Sequence, residues 1–234
     1  MGRVNHSIIG RVMDGDRVSD GLRPRVEPDW GKGTDGPISR HLNRRLSLPL
    51  SWGIVRRGLP ISPDLMSALS FSVGLGGAVL FALGLSLSGG LLAQLSSILD
   101  GCDGEIARLT GRSSKRGAIL DSILDRLADG LLILGMTLFS LRAGISHWPV
   151  VFGFLALIGS YSISYSSAIA RAMGERDYPR VLAGRDMRLF LIMWAGIISA
   201  FLPPAMGYFL LLLALTALAE LAWRLSRRVG EKGR

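Results

Sequence analysis

Cysteine and histidine are scarce in this chain, and their scarcity limits the chemistry that it can perform. The sequence contains one cysteine, Cys102, and three histidines. A single cysteine cannot form an intrachain disulfide, and so few thiol and imidazole groups cannot supply the spaced ligand clusters that hold zinc. The sequence therefore gives no support to thiol-based or zinc-based catalysis.

Apolar runs are absent before residue 46, so the start of the chain does not have the pattern of a secretory signal peptide. Residues 1–35 are polar and rich in Gly, Asp and Arg, a composition that predicts a largely disordered segment. We therefore expect membrane insertion to depend on internal helices.

Acidic residues are few relative to basic ones. The chain has 18 Asp and Glu against 27 Lys and Arg, yet 49% of its residues are hydrophobic. A nucleic-acid-binding protein gathers basic residues on one soluble face, whereas residues 65–225 are too apolar to leave such a face. The composition favours a membrane protein with positively charged loops and argues against a nucleic-acid partner.

The apolar residues fall into six segments, each long enough to cross a bilayer as a helix of about 17–25 residues. The segments are 65–83, 86–109, 117–141, 148–172, 187–203 and 205–225. The predicted fold class is therefore all-α. We expect an integral membrane bundle of six transmembrane helices, preceded by an N-terminal interfacial amphipathic helix.

The domain boundaries follow the same changes in composition. The polar segment 1–35 is followed by a basic amphipathic segment at 36–58, a membrane domain at 59–228 and a tail at 229–234. The amphipathic segment mixes leucines with arginines and is expected to break near Pro49. This pattern is typical of a segment that lies along an anionic membrane surface, and a solvated linker is the alternative.

Loop charge predicts the orientation of the bundle. Arginines and lysines are concentrated before residue 65, in the linkers 108–116 and 171–188 and in the tail, whereas the alternate linkers carry almost none. Loops that are rich in Lys and Arg stay on the cytoplasmic side. We therefore expect a multi-pass protein of the inner (plasma) membrane with both termini and its active site in the cytoplasm.

Carboxylates occur within the second and third segments, although a charge at the bilayer centre costs about 2.5–3.5 kcal/mol on insertion scales. Asp100 and Asp103 are three residues apart, so they lie on one face of the second helix. Asp121 and Asp125 are four apart on the third helix, which a short connection makes antiparallel to the second. Four facing carboxylates repel unless cations lie between them, and such oxygen ligands suit two Mg²⁺ or Mn²⁺ ions.

Salt bridges within the bundle are the structural alternative for these acids. Glu105 and Asp129 fall outside the two spacing patterns, and pairing with a cation is a sufficient explanation for each of them. The candidate cations are Arg108, Lys115, Arg116 and Arg126. The other four carboxylates exceed what Arg126, the one intramembrane cation among these, could neutralise, so a metal site is favoured for them.

Small residues and an arginine accompany the acidic faces. Gly104 follows Asp103, while Ala107 and Gly117 lie one helical turn from the nearest motif aspartate. Small side chains leave room for a bulky ligand, and Arg108 can bind phosphate oxygens through two hydrogen bonds. Together with divalent metal, these features indicate a diphosphate-bearing substrate and phosphoryl-group transfer.

These positions form one motif: Asp100-Gly-Cys-Asp103-Gly104-Glu-Ile-Ala107-Arg108, eight residues, then Gly117-Ala-Ile-Leu-Asp121-Ser-Ile-Leu-Asp125. It resembles the signature of the CDP-alcohol phosphotransferase family at every fixed position. The resemblance implies a six-helix membrane fold, usually homodimeric, in which the first three aspartates hold metal and the fourth, Asp125, is both general base and second-metal ligand. The implied CDP-binding residues are Asp103, Gly104, Ala107, Arg108 and Gly117.

Two further stretches, 34–45 and 184–190, resemble the branch of this family that contains the di-myo-inositol phosphate phosphate synthases. The donor would be CDP-inositol or, in the ordinary phospholipid branch, a lipid CDP-alcohol such as CDP-diacylglycerol. The acceptor would be a polar alcohol. A phosphorylated acceptor such as inositol phosphate would need arginines, and the candidates near the fourth linker are Arg180, Arg185 and Arg188, with Asp186 orienting Arg185.

Two other functions also use carboxylates within membranes. Intramembrane aromatic prenyltransferases bind diphosphates at Asp-rich metal sites, but their motifs lie on separated helical repeats, whereas this chain has one helical pair of that kind. Cation transporters use carboxylates as transport sites and favour inverted repeats with broken helices, which are not evident here. Both remain alternatives to CDP-alcohol phosphotransfer.

The loop charges predict the outcome of cysteine labelling in intact cells. In a Cys102→Ser background, Ser146→Cys should react with a membrane-impermeant maleimide added from outside, because its linker is expected to be external. Ser114→Cys is the matched control in a cytoplasmic linker and should react only after the membrane is opened. The reversed labelling pattern would refute the predicted orientation.

Overall fold

The computed structural model describes residues 38–174 and 184–231, with side chains as far as residue 226. Within these ranges the chain is helical and contains no β-strand. A π-helical segment, Ser39–Asn43, is followed by seven α-helices: α1 (Arg44–Arg56), α2 (Pro63–Ala82), α3 (Ser86–Thr110), α4 (Lys115–Arg142), α5 (Trp148–Ala172), α6 (Arg185–Ser199) and α7 (Ala205–Glu231). The all-α prediction is confirmed.

Helices α2 to α7 correspond to the six predicted segments, because the sequence marks where they begin and end. At the start of α2, the Ser62 side chain accepts a hydrogen bond from the amide of Leu65 at 3.2 Å, and Pro63 follows at the first helical position. Gly84 and Gly111 lie at the C-terminal ends of α2 and α3 with φ angles of 90° and 66°, which residues with side chains rarely adopt.

Close helix packing fixes the elements that carry the candidate site. Helix α2 packs against both α3 and α4, α3 packs against α6, and α5 packs against α7. Glycines permit this approach: a Cβ on Gly135 would clash with the carbonyl oxygen of Ala78, and one on Gly196 would lie 2.5 Å from that of Ser86. The surrounding core includes the buried side chains of Phe81, Leu132, Met136, Leu189, Met206 and Leu210.

Within the described ranges, three helices are long and apolar enough to cross a membrane: Pro63–Ala82, Trp148–Ala172 and Ala205–Ser226. Large apolar side chains also point outward, for example Phe154 and Leu215, which are 62% and 54% exposed. These features indicate a membrane protein. The charged residues of α3 and α4 lower the hydropathy of those helices, so the count of six spans stays a prediction.

The structure corrects one detail of the N-terminal segment. Helix α1 continues through Pro49, where the sequence predicted a break. Proline lacks the amide that would bind the carbonyl oxygen of Arg45, four residues earlier. Both residues are exposed, so solvent can satisfy that carbonyl and the helix continues.

Helix α1 buries several polar side chains beside Leu48 and Ile54, and it exposes two leucines. Leu46 and Leu50 are exposed, whereas Arg44, Ser47 and Ser51 are buried. The buried polar face packs against α3. An outward apolar face is typical of a helix that contacts lipid, and the interfacial location of this helix stays a prediction.

Candidate active site

A short turn connects the two helices that carry the motif. Residues 111–114 lie between α3 and α4, and the Ser114 side chain caps α4 by accepting a hydrogen bond from the amide of Gly117 at 2.9 Å. Helix α2 packs against both helices and supports them from one side. The turn and this shared support allow the aspartates of α3 to face those of α4.

The four predicted aspartates lie close together. One carboxylate oxygen from each of Asp100, Asp103 and Asp121 lies within 4.8 Å of the others. Asp125, one turn further along α4 than Asp121, interacts electrostatically with Asp100 and Asp121. The structure therefore brings together all four residues that spacing placed on facing helix surfaces.

Asp103 is the most buried of the four and is held by a residue that the motif does not include. It is 7% exposed, and the Ser67 hydroxyl of α2 donates a hydrogen bond of 2.5 Å to its Oδ2 atom. A hydroxyl donor fixes the direction of one carboxylate oxygen and leaves the other available. Helix α2 thus contributes to the orientation of the cluster.

The carboxylate cluster has the chemistry of a site for a divalent cation. Mg²⁺ and Mn²⁺ prefer oxygen ligands, and the converging oxygens of Asp100, Asp103 and Asp121 supply three. Asp103 is buried and the other two are partly buried, so water screens their mutual repulsion incompletely. These three residues fit a divalent ion.

Arg185 forms ion pairs at the cluster. Its Nη1 atom lies 2.6 Å from Oδ2 of Asp100 and 3.0 Å from Oδ1 of Asp125, and its Nε atom lies 3.3 Å from Oδ1 of Asp129. One guanidinium of α6 therefore contacts carboxylates of both α3 and α4. A second arginine, Arg126, has its Nη2 atom 3.6 Å from Oδ2 of Asp125.

Asp129 and Arg188 form a buried ion pair behind this contact. Oδ2 of Asp129 lies 2.5 Å from Nη2 of Arg188, and the side chains are 2% and 5% exposed. The prediction that Asp129 could be explained by a salt bridge is confirmed, but its partners are Arg185 and Arg188 of α6. The prediction that Asp186 orients Arg185 is wrong: neighbouring helical residues point in different directions, and Asp186 accepts a hydrogen bond from the amide of Ser39 at 3.0 Å.

One cavity joins these groups. Its lining includes the four motif aspartates, Gly104 and several arginines, which are Arg44, Arg108, Arg126, Arg171, Arg185, Arg188 and Arg224. Anionic metal ligands and phosphate-binding cations therefore share one space. Such a combination can hold a substrate whose phosphates need both.

The predicted CDP-binding residues divide into two groups. Gly104 and Arg108 line the cavity beside Asp103, whereas Ala107 and Gly117 lie outside its lining. Gly117 is close-packed: a Cβ there would lie 3.0 Å from both Oδ1 of Asp64 and Oγ of Ser114. Its small size accommodates the turn between the motif helices.

The predicted acceptor arginines also divide. Arg185 and Arg188 line the cavity, while Arg180 lies outside the described residues.

The sequence interpretation missed Arg224, which lines the same cavity from α7 and is 4% exposed. Its Nε atom lies 3.1 Å from Oε1 of Glu220, one turn earlier, and its Nη1 atom donates to the Ser167 hydroxyl of α5 at 2.9 Å. An oppositely charged pair at this spacing in an apolar helix was the available signal.

The motif and its geometry agree with a family-level match. Residues 61–221 match the family model described as CDP-alcohol phosphatidyltransferase. The chain belongs to this family. The predicted family is therefore confirmed, and the match covers the motif helices α3 and α4 and the helix α6 that carries Arg185 and Arg188.

Several relatives are similar to this chain over most of its length. A protein of Rubrobacter xylanophilus named bifunctional IPC transferase and DIPP synthase is 44% identical over 72% of this chain, but the chain spans only 38% of that protein. An archaetidylinositol phosphate synthase of Pyrococcus horikoshii is 34% identical over 61% of this chain and 72% of the relative. A phosphatidylinositol phosphate synthase of Mycobacterium marinum is 31% identical over 80% of this chain and 81% of the relative.

Solved structures of one related enzyme have a similar fold. The Mycobacterium tuberculosis phosphatidylinositol phosphate synthase with CDP-DAG bound has a TM-score of 0.66 and 28% identity, covering 78% of this chain and 92% of that one. The same enzyme in complex with manganese and citrate also has a TM-score of 0.66 and 28% identity, with coverage of 77% and 88%.

Proposed function

We propose that this chain transfers the substituted phosphate of a CDP-alcohol to the hydroxyl of an inositol phosphate and releases CMP. The observation that carries this proposal is the shared cavity, in which the carboxylate cluster of Asp100, Asp103 and Asp121 lies beside phosphate-binding arginines. Transfer between two phosphate-bearing substrates needs both kinds of group. The names of two relatives, which both contain inositol phosphate, support this choice of acceptor.

The donor would bind on the side of α3 and α4. Asp100, Asp103 and Asp121, with Asp125 as a further ligand, would hold two Mg²⁺ or Mn²⁺ ions. Such ions, when bound, neutralise diphosphate charge and act as Lewis acids. Arg108 would donate hydrogen bonds to the phosphate oxygens, and the missing side chain of Gly104 leaves space beside Asp103.

Ala107 and Gly117 complete the proposed CDP-binding set indirectly. Gly117 packs against Asp64 and Ser114, so it sets the turn that presents Asp121. Ala107 is one turn after Asp103 on α3 and keeps that part of the helix surface small.

The chemical step would use Asp125 as the general base. The acceptor oxygen attacks the β-phosphorus in line, the bond from that phosphorus to the bridging oxygen breaks, and CMP leaves with the bonding electrons. The acceptor proton goes to a carboxylate oxygen of Asp125, which lines the cavity. Arg185, 3.0 Å from Oδ1 of Asp125, would fix the direction of this carboxylate. General-base assistance of this kind contributes about 10²–10⁴-fold to a rate.

The acceptor phosphate would bind at the arginines of α6. Arg185 and Arg188 are adjacent on one face of this helix, and Asp129 holds Arg188 at 2.5 Å. A guanidinium and a divalent ion are alternative partners for the same carboxylate oxygens, so metal binding would compete with the contact between Arg185 and Asp100. Arg180 belongs to the proposed set on the sequence argument alone.

The same proposal includes the membrane arrangement. Six helices at the predicted positions and alternating loop charge support six transmembrane spans with both termini and the active site in the cytoplasm. A site near the cytoplasmic surface is accessible to a lipid donor and to a soluble acceptor. A homodimer stays a prediction from the family resemblance.

Release of CMP tests the proposal. The purified protein would be incubated with CDP-diacylglycerol or CDP-inositol, each with inositol phosphate or unphosphorylated inositol, and labelled CMP would be measured. We expect CMP release with inositol phosphate, its loss in excess EDTA and its recovery with Mg²⁺ or Mn²⁺. The donor that reacts identifies the branch of the family. No CMP release with any combination, or full turnover in EDTA, would contradict the proposal.

Two substitutions separate the proposed base from a metal ligand. Asp125→Asn should lower kcat by about 10²–10⁴-fold while leaving the Kd of the CDP-alcohol nearly unchanged, because the amide cannot accept a proton. Asp103→Asn should instead raise the Kd of the donor in the presence of Mg²⁺. Calorimetry and single-turnover kinetics measure the two quantities, and equal loss of donor binding in both variants would remove the distinction.

Acceptor kinetics test the role of Arg185. Arg185→Ala should raise the KM for inositol phosphate by about ten- to a hundredfold, as expected for a lost hydrogen bond to a charged group, and should raise the donor KM much less. Arg45→Ala is the matched control, since Arg45 is exposed and is not among the cavity-lining residues. An unchanged acceptor KM in Arg185→Ala would remove the argument for phosphate binding at α6.

A further inference from the structure

Glu105 lies inside the motif, between Gly104 and Ala107, at a position that the family signature leaves open. The side chain is buried, with 2% exposure, and points at α1. Its Oε1 atom accepts hydrogen bonds of 2.6 Å from Nη1 of Arg44 and from Oγ of Ser47, and its Oε2 atom accepts one of 2.6 Å from Oγ of Ser51. All three donors belong to the N-terminal helix.

A buried carboxylate destabilises a structure unless a cation and hydrogen bonds compensate it. Arg44 supplies the charge, and the two serines occupy further lone pairs of the carboxylate. An apolar residue could fill the same space without these requirements. We name these four side chains the Glu105 cluster: Arg44, Ser47, Ser51 and Glu105. The cluster therefore fixes the axial position and the rotation of α1 relative to α3.

The segment that Glu105 fixes forms part of the cavity wall. Asn43, Arg44 and Ser47 line the cavity. Asn43 donates to the Ser97 hydroxyl of α3 at 2.9 Å. At Gly101 the approach of the two helices is close, because a Cβ there would lie 3.2 Å from Oγ of Ser47.

The other end of the same segment reaches α6. The amide of Ser39 donates a hydrogen bond of 3.0 Å to Oδ2 of Asp186, the residue that follows Arg185. The π-helical segment and α1 thus connect the motif helix α3 to the helix that carries the proposed acceptor arginines. Loss of the attachment at Glu105 would loosen this wall on the acceptor side, while the aspartates of α3 and α4 would keep their own supports.

We propose that Glu105 is a positioning residue. Through Arg44, Ser47 and Ser51 it holds α1 and the preceding π-helical segment in place as one wall of the cavity, on the side where the acceptor would bind. The kinetic consequence rests on the proposed function. The attachment of α1 to α3 does not rest on the proposed function, because it can be measured without enzymatic turnover.

The chain contains its own reporter for this attachment. Cys102 is the only cysteine in the sequence, is fully buried, and its Sγ atom lies 3.7 Å from the carbonyl oxygen of Ser47 beneath α1. Movement of α1 away from α3 would expose this thiol to a maleimide. The labelling rate of Cys102 in the full-length protein therefore measures release of the helix.

Labelling of Cys102 should respond to the Glu105 cluster. Glu105→Gln should raise the rate of N-ethylmaleimide labelling by about tenfold or more, as expected when hydrogen bonds to a charged group are weakened. Ser51→Ala, which removes one bond to the carboxylate at a position outside the cavity, should give a smaller increase. Ser140→Ala is the matched control, because Ser140 is equally buried and its hydroxyl donates within its own helix, to the carbonyl oxygen of Met136.

Kinetics separate positioning from a general loss of structure. Glu105→Gln should raise the KM for inositol phosphate by about tenfold and Ser51→Ala by about threefold, with the donor KM nearly unchanged in both. Global destabilisation would instead lower the fraction of active enzyme without changing the acceptor KM more than the donor KM. Wild-type labelling rates in both variants would overturn the proposal whether or not the enzyme is active. Faster labelling with an unchanged acceptor KM would also overturn it. Absence of CMP release from the wild type, with the expected labelling pattern, would refute the proposed function and leave the attachment established.

Discussion

Repulsion among carboxylates in a poorly hydrated cavity is the constraint on which the rest of the structure depends. Two like charges about 4 Å apart repel by about 4 kcal/mol at an effective dielectric constant of 20. The oxygens of Asp100, Asp103 and Asp121 lie within 4.8 Å of one another, and Asp125 is adjacent. Cations that lie among these groups relieve this repulsion, and Arg185 is one such cation.

The arrangement of α6 follows from this constraint. Arg185 contacts Asp100, Asp125 and Asp129, and Arg188 completes the neutralisation of Asp129. Packing of α3 against α6 through glycine contacts makes this approach possible. Divalent ions at the cluster would compensate further carboxylate charge, and their own positive charge would bind a diphosphate. Stability of the fold and chemistry at the site thus depend on the same charges.

The sequence predicted the helices and the facing aspartates because both are periodic features of short stretches. It also predicted that Glu105 and Asp129 could be explained by ion pairs. It could not identify their partners, because Arg44 is 61 residues from Glu105 and Arg188 is 59 from Asp129, and only tertiary packing decides such pairs. Pro49 was assigned as a break because solvent exposure of the carbonyl it leaves unpaired is not visible in a sequence.

A structure with Mn²⁺ and CDP bound would show whether the carboxylate cluster holds metal, since manganese can be located by its anomalous scattering. We expect anomalous peaks within coordination distance of Asp100, Asp103 and Asp121, with the guanidinium of Arg185 moved away from Asp100. An absence of manganese from this cluster at saturating concentration, with Arg185 still bound to Asp100 and Asp125, would contradict this expectation.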